Sequence, residues 1–125
     1  MDEGLIAAIT GAYAASAAGA LDVADLPLHP DVTWVEPCSF PFGGARRGPA
    51  EVADYLARSR AGWSELASTP VRVLVNDTKV AVLVEHRGVR ATGEAAAATV
   101  LDVFEVADGL VVGLEAFGEH RGPPA

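Results

Sequence analysis

The stretch A-T-V-L-D-V-F-E-V-A-D-G-L-V-V-G-L-E-A-F, residues 98–117, decides the fold. It alternates with a period of two on both sides of Asp108-Gly109, a dipeptide suited to a tight hairpin turn. Two strands are predicted, Ala97 to Val106 and Leu110 to Phe117. On the first, Ala98, Val100, Phe104 and Val106 share one parity and are all apolar, yet Asp102 stands in the same row. Thr99 and Glu105 occupy the other parity. Register alone therefore places the carboxyl of Asp102 on the side that faces apolar material. Unpaired there, it would be held in its protonated form. The competing reading is a bulge or a satisfied structural aspartate.

Upstream, Val80, Val82, Val84 and His86 alternate with Ala81, Leu83, Glu85 and Arg87, and a Gly-containing bend follows at Gly88 to Gly93. Asn76-Asp77-Thr78 reads as a turn, and from Pro70 onward Val71, Val73 and Val75 alternate before it. Pro49 suits the first position of a helix. Val52, Leu56, Ser59 and Trp63 line one side of that helix, with Tyr55 beside them. Residues from Cys38 to Gly48 read as a loop. Val32 to Glu36 reads as a strand ended by Pro37, with Val32, Trp34 and Glu36 on one face. At the start, Asp2 and Glu3 favour a helix through its dipole, and Ile6, Ile9, Tyr13 and Ala17 recur at helical spacing up to Gly19. A short second helix is predicted over Leu21 to Leu28, ended by His29-Pro30. Gly122-Pro123-Pro124 reads as a frayed tail. The order is helix, helix, strand, helix, then three long strands in an antiparallel meander, which argues for an α+β domain.

Composition bounds the function. A chain of 125 residues suits one domain, 1–125, with about 119–125 as a tail. Half of it is hydrophobic, enough for a core. The net charge of -8 excludes a basic nucleic-acid face and disfavours an anionic membrane surface. A single cysteine, Cys38, allows no intrachain disulfide. Residues 4–20 are apolar, but Asp2 and Glu3 precede them and the first basic residue is Arg46, unlike a secretory leader. The run is short for a membrane span, and the expectation is a folded helix in a cytoplasmic protein.

Besides Asp102, Glu36 is a candidate functional carboxylate at a strand end; the alternative is a solvated glutamate. His86 extends the apolar row of Val80, Val82 and Val84 and could look into a pocket. His29 and His120 read as loop and tail residues. The three histidines lack metal-ligand spacing, so neither metal nor organic cofactor is expected. The glycines at 43–44 do not form a phosphate loop. Ser39 and Ser64 have no base nearby in motif terms, which speaks against a serine hydrolase.

The helix with Tyr13, the strand DVTWVEP, the loop FGGARRGPAEV and the closing LDVFEVADGLVVGLEAF resemble SnoaL-like polyketide cyclases and ketosteroid isomerases of the nuclear-transport-factor-2-like superfamily. The resemblance spans nearly the whole chain. It implies a cone-shaped, curved antiparallel sheet packed on three helices and enclosing an apolar pocket. It also implies a general base at Glu36, directly before Pro37, where the isomerases carry Asp, and a protonated oxyanion donor at Asp102. The isomerases' oxyanion tyrosine falls near Ala12. Tyr13 is one residue on, a rotation of about 100°, which leaves its reach into the pocket open. Gly118 stands where an aromatic often closes the pocket, implying a roomier cavity. In related epoxide hydrolases a second acid comes after the third helix, where Glu65 is loosely placed.

The expected activity is cofactor-independent acid–base chemistry on a lipophilic ketone, enone or polyketide-like molecule. Val32, Trp34, Tyr55, Leu56, Ser59, Trp63, Val100, Phe104, Leu114 and Gly118 are the expected pocket residues. The alternatives are epoxide opening, with Glu65 or Asp102 as acid, and a non-catalytic binding or dimerisation module. The last would have Asp102 salt-bridged, for example to Arg72 or Arg90. A homodimer is expected through Leu101, Val103, Val111 and Phe117 on the outer face of the sheet.

Overall fold

The structure, a computed structural model, describes residues 3–15, 26–40 and 42–121. Its elements are α1 (Glu3–Ala15), β1 (Leu28–Glu36), β2 (Gly44–Arg47), α2 (Pro49–Ala61), β3 (Trp63–Val75), β4 (Lys79–Arg90), β5 (Ala95–Ala107) and β6 (Leu110–Arg121). The six strands form one curved, unclosed sheet in the order β2-β1-β6-β5-β4-β3. From β3 to β6 it is an antiparallel meander, and β1 joins β6 in parallel. The architecture is the expected α+β cone. The meander has four strands rather than three.

The inner face follows from period-two patterning. Val80, Val82 and Val84 of β4 are fully buried, and so is Phe104 of β5. Val32 and Trp34 of β1 complete the layer, and Trp34 meets Phe104 edge to face with ring centroids 6.1 Å apart. Onto this face α1 packs Leu5, Ile9, Ala12 and Tyr13, and α2 packs Val52 and Tyr55. Pro49 opens α2 as expected.

Several boundaries differ from the sequence expectation, each for a local reason. The predicted second helix falls largely on residues 21–25, outside the described residues, and Leu28 already belongs to β1. His29-Pro30 lies within that strand: Pro30 has no N–H, and the Asp31 N–H bonds His29 Nδ1 at 2.9 Å, so the ladder to β6 breaks between Leu28 and Thr33. The expected loop from Cys38 to Gly48 contains β2, a short edge strand of Gly, Ala and two Arg with no apolar alternation to reveal it. Trp63 is not helical. Helix α2 stops at Ala61, and Trp63 begins a strand that runs through Pro70, which an edge strand tolerates.

Bulges interrupt the alternation. Ser64 and Val71 in β3, and Val112 in β6, are extra residues that pair with nothing across the ladder. Each bulge shifts the facing of the residues beyond it. Val111 therefore turns inward and is completely buried, contrary to its expected place on the outer face with Leu101, Val103 and Phe117. The tight turns match the expectation. Thr78 and Lys79 N–H groups bond Asn76 Oδ1 at 2.9 and 2.8 Å, and Asp108 and Gly109 take φ of 53° and 78°.

The bulge at Ser64 presses the Glu65 carbonyl against Gly88. A β-carbon there would lie 2.1 Å from that oxygen, whereas one at Gly11 of α1 would meet nothing within 4 Å. Gly88→Ala is expected to destabilise the fold by about 1–3 kcal/mol. Gly11→Ala should stabilise it by about 0.5–1 kcal/mol. Urea denaturation of both variants checks this, and a Gly88→Ala midpoint at or above wild type would contradict the packing described.

Candidate active site

Two carboxyls meet at one cavity. Glu36 is the last residue of β1, on the row of Val32 and Trp34 as expected, and only 8% exposed. The Trp34 Nε1–H donates to Glu36 Oε2 at 2.7 Å. The Tyr55 hydroxyl from α2 faces this carboxyl and favours its charged form. Asp102 lies in the middle of β5, between Val82 of β4 and Ala116 of β6, and is 7% exposed. The Tyr13 hydroxyl donates to Asp102 Oδ2 at 2.5 Å. Tyr13 thus reaches the site. Helix α1 buries a broad stripe, with Ala12 and Tyr13 each 1% exposed, so neighbouring positions both face inward.

Burial decides the charge state of the pair. Asp102 is pushed up to about 6 by desolvation, with the Tyr13 hydroxyl working in the opposite direction. Glu36 is pushed up to about 7 by desolvation and by the charge on Asp102, against the Trp34 hydrogen bond, the nearby Tyr55 hydroxyl and the charge of Arg46. Tyr13 and Tyr55 are both raised, mainly by burial, and stay protonated as donors. Since the ionised form of one carboxyl opposes ionisation of the other, the pair releases its protons in two steps. Between about pH 6 and about pH 7 it holds one proton.

The cavity has a volume of about 170 Å³. Of the expected residues, Tyr13, Trp34, Glu36, Tyr55, Leu56 and Ser59 line it, as do Trp63, His86, Val100 and Asp102. Val32, Phe104 and Leu114 instead form the packed layer beneath it. Gly118 does not border it: a β-carbon there would run into the Thr99 carbonyl at 2.5 Å, so this glycine accommodates the β5 backbone. Glu65 is exposed on β3 and does not join the pair.

Sequence reasoning missed other lining groups. Leu66 and Ser68 belong to the stretch of β3 hidden between Trp63 and Pro70. Their cross-strand partners, Gly88 and His86, would have been the signal. Phe40 and Phe42 come from the β1–β2 connection, and Arg60 and Arg90 from the ends of α2 and β4. His86 faces inward as expected. Its Nδ1 lies 2.7 Å from Ser68 Oγ, and burial lowers its pKa to about 4, so the imidazole is neutral at physiological pH. Among the described residues, no three His, Cys, Asp or Glu side chains gather as metal ligands would.

The raised carboxyl values carry a stability consequence. A carboxyl that binds its proton more tightly when folded favours the fold fully below its unfolded pKa of about 4, and that contribution is lost as pH rises through the folded value. For Glu36 and Asp102 the loss falls between about pH 4 and about pH 7. Buried neutral His86 acts in the opposite sense, losing its contribution as pH falls from the usual 6.5 toward about 4. The comparison is therefore between variants and wild type. Glu36→Gln and Asp102→Asn are each expected to gain up to about 3 kcal/mol relative to wild type between pH 4 and pH 8. Denaturant titrations at the two pH values measure it, and a gap that does not change with pH would contradict the assignment.

Among the described residues, no helix is long and apolar enough to cross a membrane. No curated protein matches the chain. Solved structures do. An NTF2-like protein from Burkholderia thailandensis is similar at 22% identity, covering 93% of this chain and 88% of that one, with a TM-score of 0.80. TerC, co-crystallized with polyporic acid, is similar at 20% identity, covering 94% and 89%, with a TM-score of 0.73. A protein of ketosteroid isomerase-like fold from Catenulispora acidiphila, in complex with trimethylamine, is similar at 13% identity, covering 95% and 88%, with a TM-score of 0.73. These likenesses show the fold. The profile of the SnoaL-like domain matches residues 9–114, and on that match the chain belongs to the SnoaL-like domain family.

Proposed function

We propose that this protein is an acid–base enzyme that isomerises or cyclises a small lipophilic carbonyl compound through an enolate. The observation that carries the reading is the pair of buried carboxyls, Glu36 and Asp102, on the wall of one largely apolar cavity. Two such groups with one proton between them supply a base and an acid at the same pH.

Hydrogen bonding assigns the roles. Trp34, Tyr55 and Arg46 favour negative charge on Glu36, whereas Asp102 has only Tyr13. The part of the Glu36 rise caused by the Asp102 charge vanishes when Asp102 is protonated. The two values belong to the pair and do not rank its members; with more groups favouring its charge than Asp102 has, Glu36 takes the role of carboxylate and Asp102 that of acid. Because Tyr13 occupies Oδ2, the Asp102 proton belongs on Oδ1. Glu36 removes a proton from the carbon alpha to the carbonyl. The electron pair moves into an enolate whose oxygen is held by the Asp102 O–H. Isomerisation ends when Glu36 returns its proton to a conjugated carbon; cyclisation ends when the enolate carbon attacks a second carbonyl carbon of the same molecule, the C=O π bond there breaks, the alkoxide formed takes the proton from Glu36, and the enolate oxygen regains its carbonyl form. The apolar walls keep water from competing for these hydrogen bonds.

Two neighbours of the same fold were crystallised with small organic molecules, polyporic acid and trimethylamine, which supports occupancy of such a cavity by a ligand of that scale. An epoxide-opening reading loses its second acid with the exposure of Glu65, although Asp102 could still protonate an epoxide oxygen. A non-catalytic reading with Asp102 salt-bridged is disfavoured, because the partner of Asp102 is Tyr13.

The test is turnover on a panel of enones, 1,3-dicarbonyl compounds and epoxides. Glu36→Gln is expected to lower kcat about 10²–10⁴-fold. Asp102→Asn should lower it about 10²–10³-fold. The wild-type kcat/KM profile should be a bell with limbs near pH 6 and pH 7. Near wild-type rates in both variants would end the proposal, and turnover of epoxides alone would redirect it.

A further inference from the structure

The cavity is polarised along β4. Val82 pairs with Asp102, His86 pairs with Ser68 and Ala98, and Arg90 pairs with Trp63. The carboxyl pair thus sits toward one end, the Ser68–His86 hydrogen bond in the middle, and Arg90 at the other end. Arg90 is not used by the chemistry proposed above, and its state is unusual. Its Nε and Nη2 atoms are shielded from solvent and have no hydrogen-bond partner. The guanidinium lies over the Trp63 ring, 5.0 Å from its centroid. Among the described residues the side-chain ion pairs are Arg47–Asp31 and Arg58–Asp54, and neither involves Arg90.

An arginine cannot discard its proton to relieve this situation. Nε and Nη2 form one edge of the guanidinium, and two parallel N–H groups on one edge match the two oxygens of a carboxylate. Trp63 holds the guanidinium by a cation–π contact at the cavity wall. Arg60, exposed at the cavity wall, adds a second positive charge on the same side as Trp63. The wall between the two ends carries Leu56, Leu66, Ala98 and Val100, with the neutral Ser68–His86 pair as its polar interruption. A ligand that satisfies all of this has an apolar body and an anionic head directed away from Glu36 and Asp102.

We propose that Arg90 is the anchor of a carboxylate-binding subsite, and that the substrate is a lipophilic carboxylic acid rather than a neutral carbonyl compound. The inference rests on the cavity being the substrate site, and it sets the direction in which the substrate lies: carboxylate on Arg90, reacting carbons between Glu36 and Asp102. Arg90 is a specificity residue in this scheme and takes no part in proton transfer.

The experiment compares 4-phenylbutanoate with 4-phenylbutanamide, which have the same shape and differ in charge. Trp34 and Trp63 both line the cavity, so binding is read by tryptophan fluorescence at pH 7.5 and confirmed by calorimetry. Wild type is expected to bind the acid about tenfold or more tightly than the amide. Arg90→Met should bring that ratio to about one. Arg90→Lys, which keeps the charge but loses the fork, should retain only part of the preference. Near-ultraviolet circular dichroism reports whether Arg90→Met is folded; if it is not, Arg90→Lys decides, an undiminished ratio counting against the proposal. Equal binding of acid and amide to wild type, an acid preference that survives in Arg90→Met, or no binding of the acid would each overturn it. The ratio requires no chemistry. Unaffected turnover in Glu36→Gln and Asp102→Asn would sink the enzymatic reading without changing this result.

Discussion

Everything else in the site depends on the desolvation of two carboxyls that share one hollow. A carboxylate taken out of water without full compensation is expensive, and the group meets that cost by holding its proton at a higher pH. Two carboxyls near each other cannot both ionise cheaply, so the second loss is delayed further. The result is a site that holds one transferable proton near neutrality, in a protein whose surface is otherwise strongly acidic. No special reagent is required for that property, only burial, proximity and a few well-placed donors.

The fold exists to keep that arrangement dry and oriented. The sheet curves enough for its inner face to be covered at one end by α1 and α2, and the hollow remains between them. Each helix directs one tyrosine hydroxyl toward a different carboxyl, Tyr13 bonding Asp102 and Tyr55 facing Glu36. The Trp34 indole serves twice, holding Glu36 through Nε1 and packing its ring edge to face against Phe104 below. A change in helix packing would therefore alter the proton affinity of the pair. The same cavity has a cationic end at Arg90, which gives it a direction as well as a volume.

Much of this is legible in the sequence because period-two patterning reports the facing of a strand directly. Asp102 is the single polar member of an apolar row, and Glu36 closes the row of Val32 and Trp34 before a proline; both lie where parity puts them. His86 is readable by the same rule. Parity fails where the ladder contains bulges. Val112 reverses the facing of Val111, and Ser64 and Val71 break the pattern of β3, which conceals Leu66 and Ser68 and makes Trp63 read as helical. Tyr13 cannot be placed from spacing, because a helix rich in alanine buries a stripe wide enough to take adjacent residues. Arg90 reads only as a partner for Asp102, since a sequence does not disclose that a guanidinium lacks one.

The most direct measurement of the central claim is a carbon-13 NMR titration of the carboxyl carbons of Glu36 and Asp102, with Glu36→Gln and Asp102→Asn used for assignment. Both resonances should move between about pH 6 and about pH 7, and removing Asp102 should lower the midpoint of Glu36. Midpoints near the ordinary value of about 4 for either group, or a Glu36 midpoint indifferent to Asp102, would contradict the account.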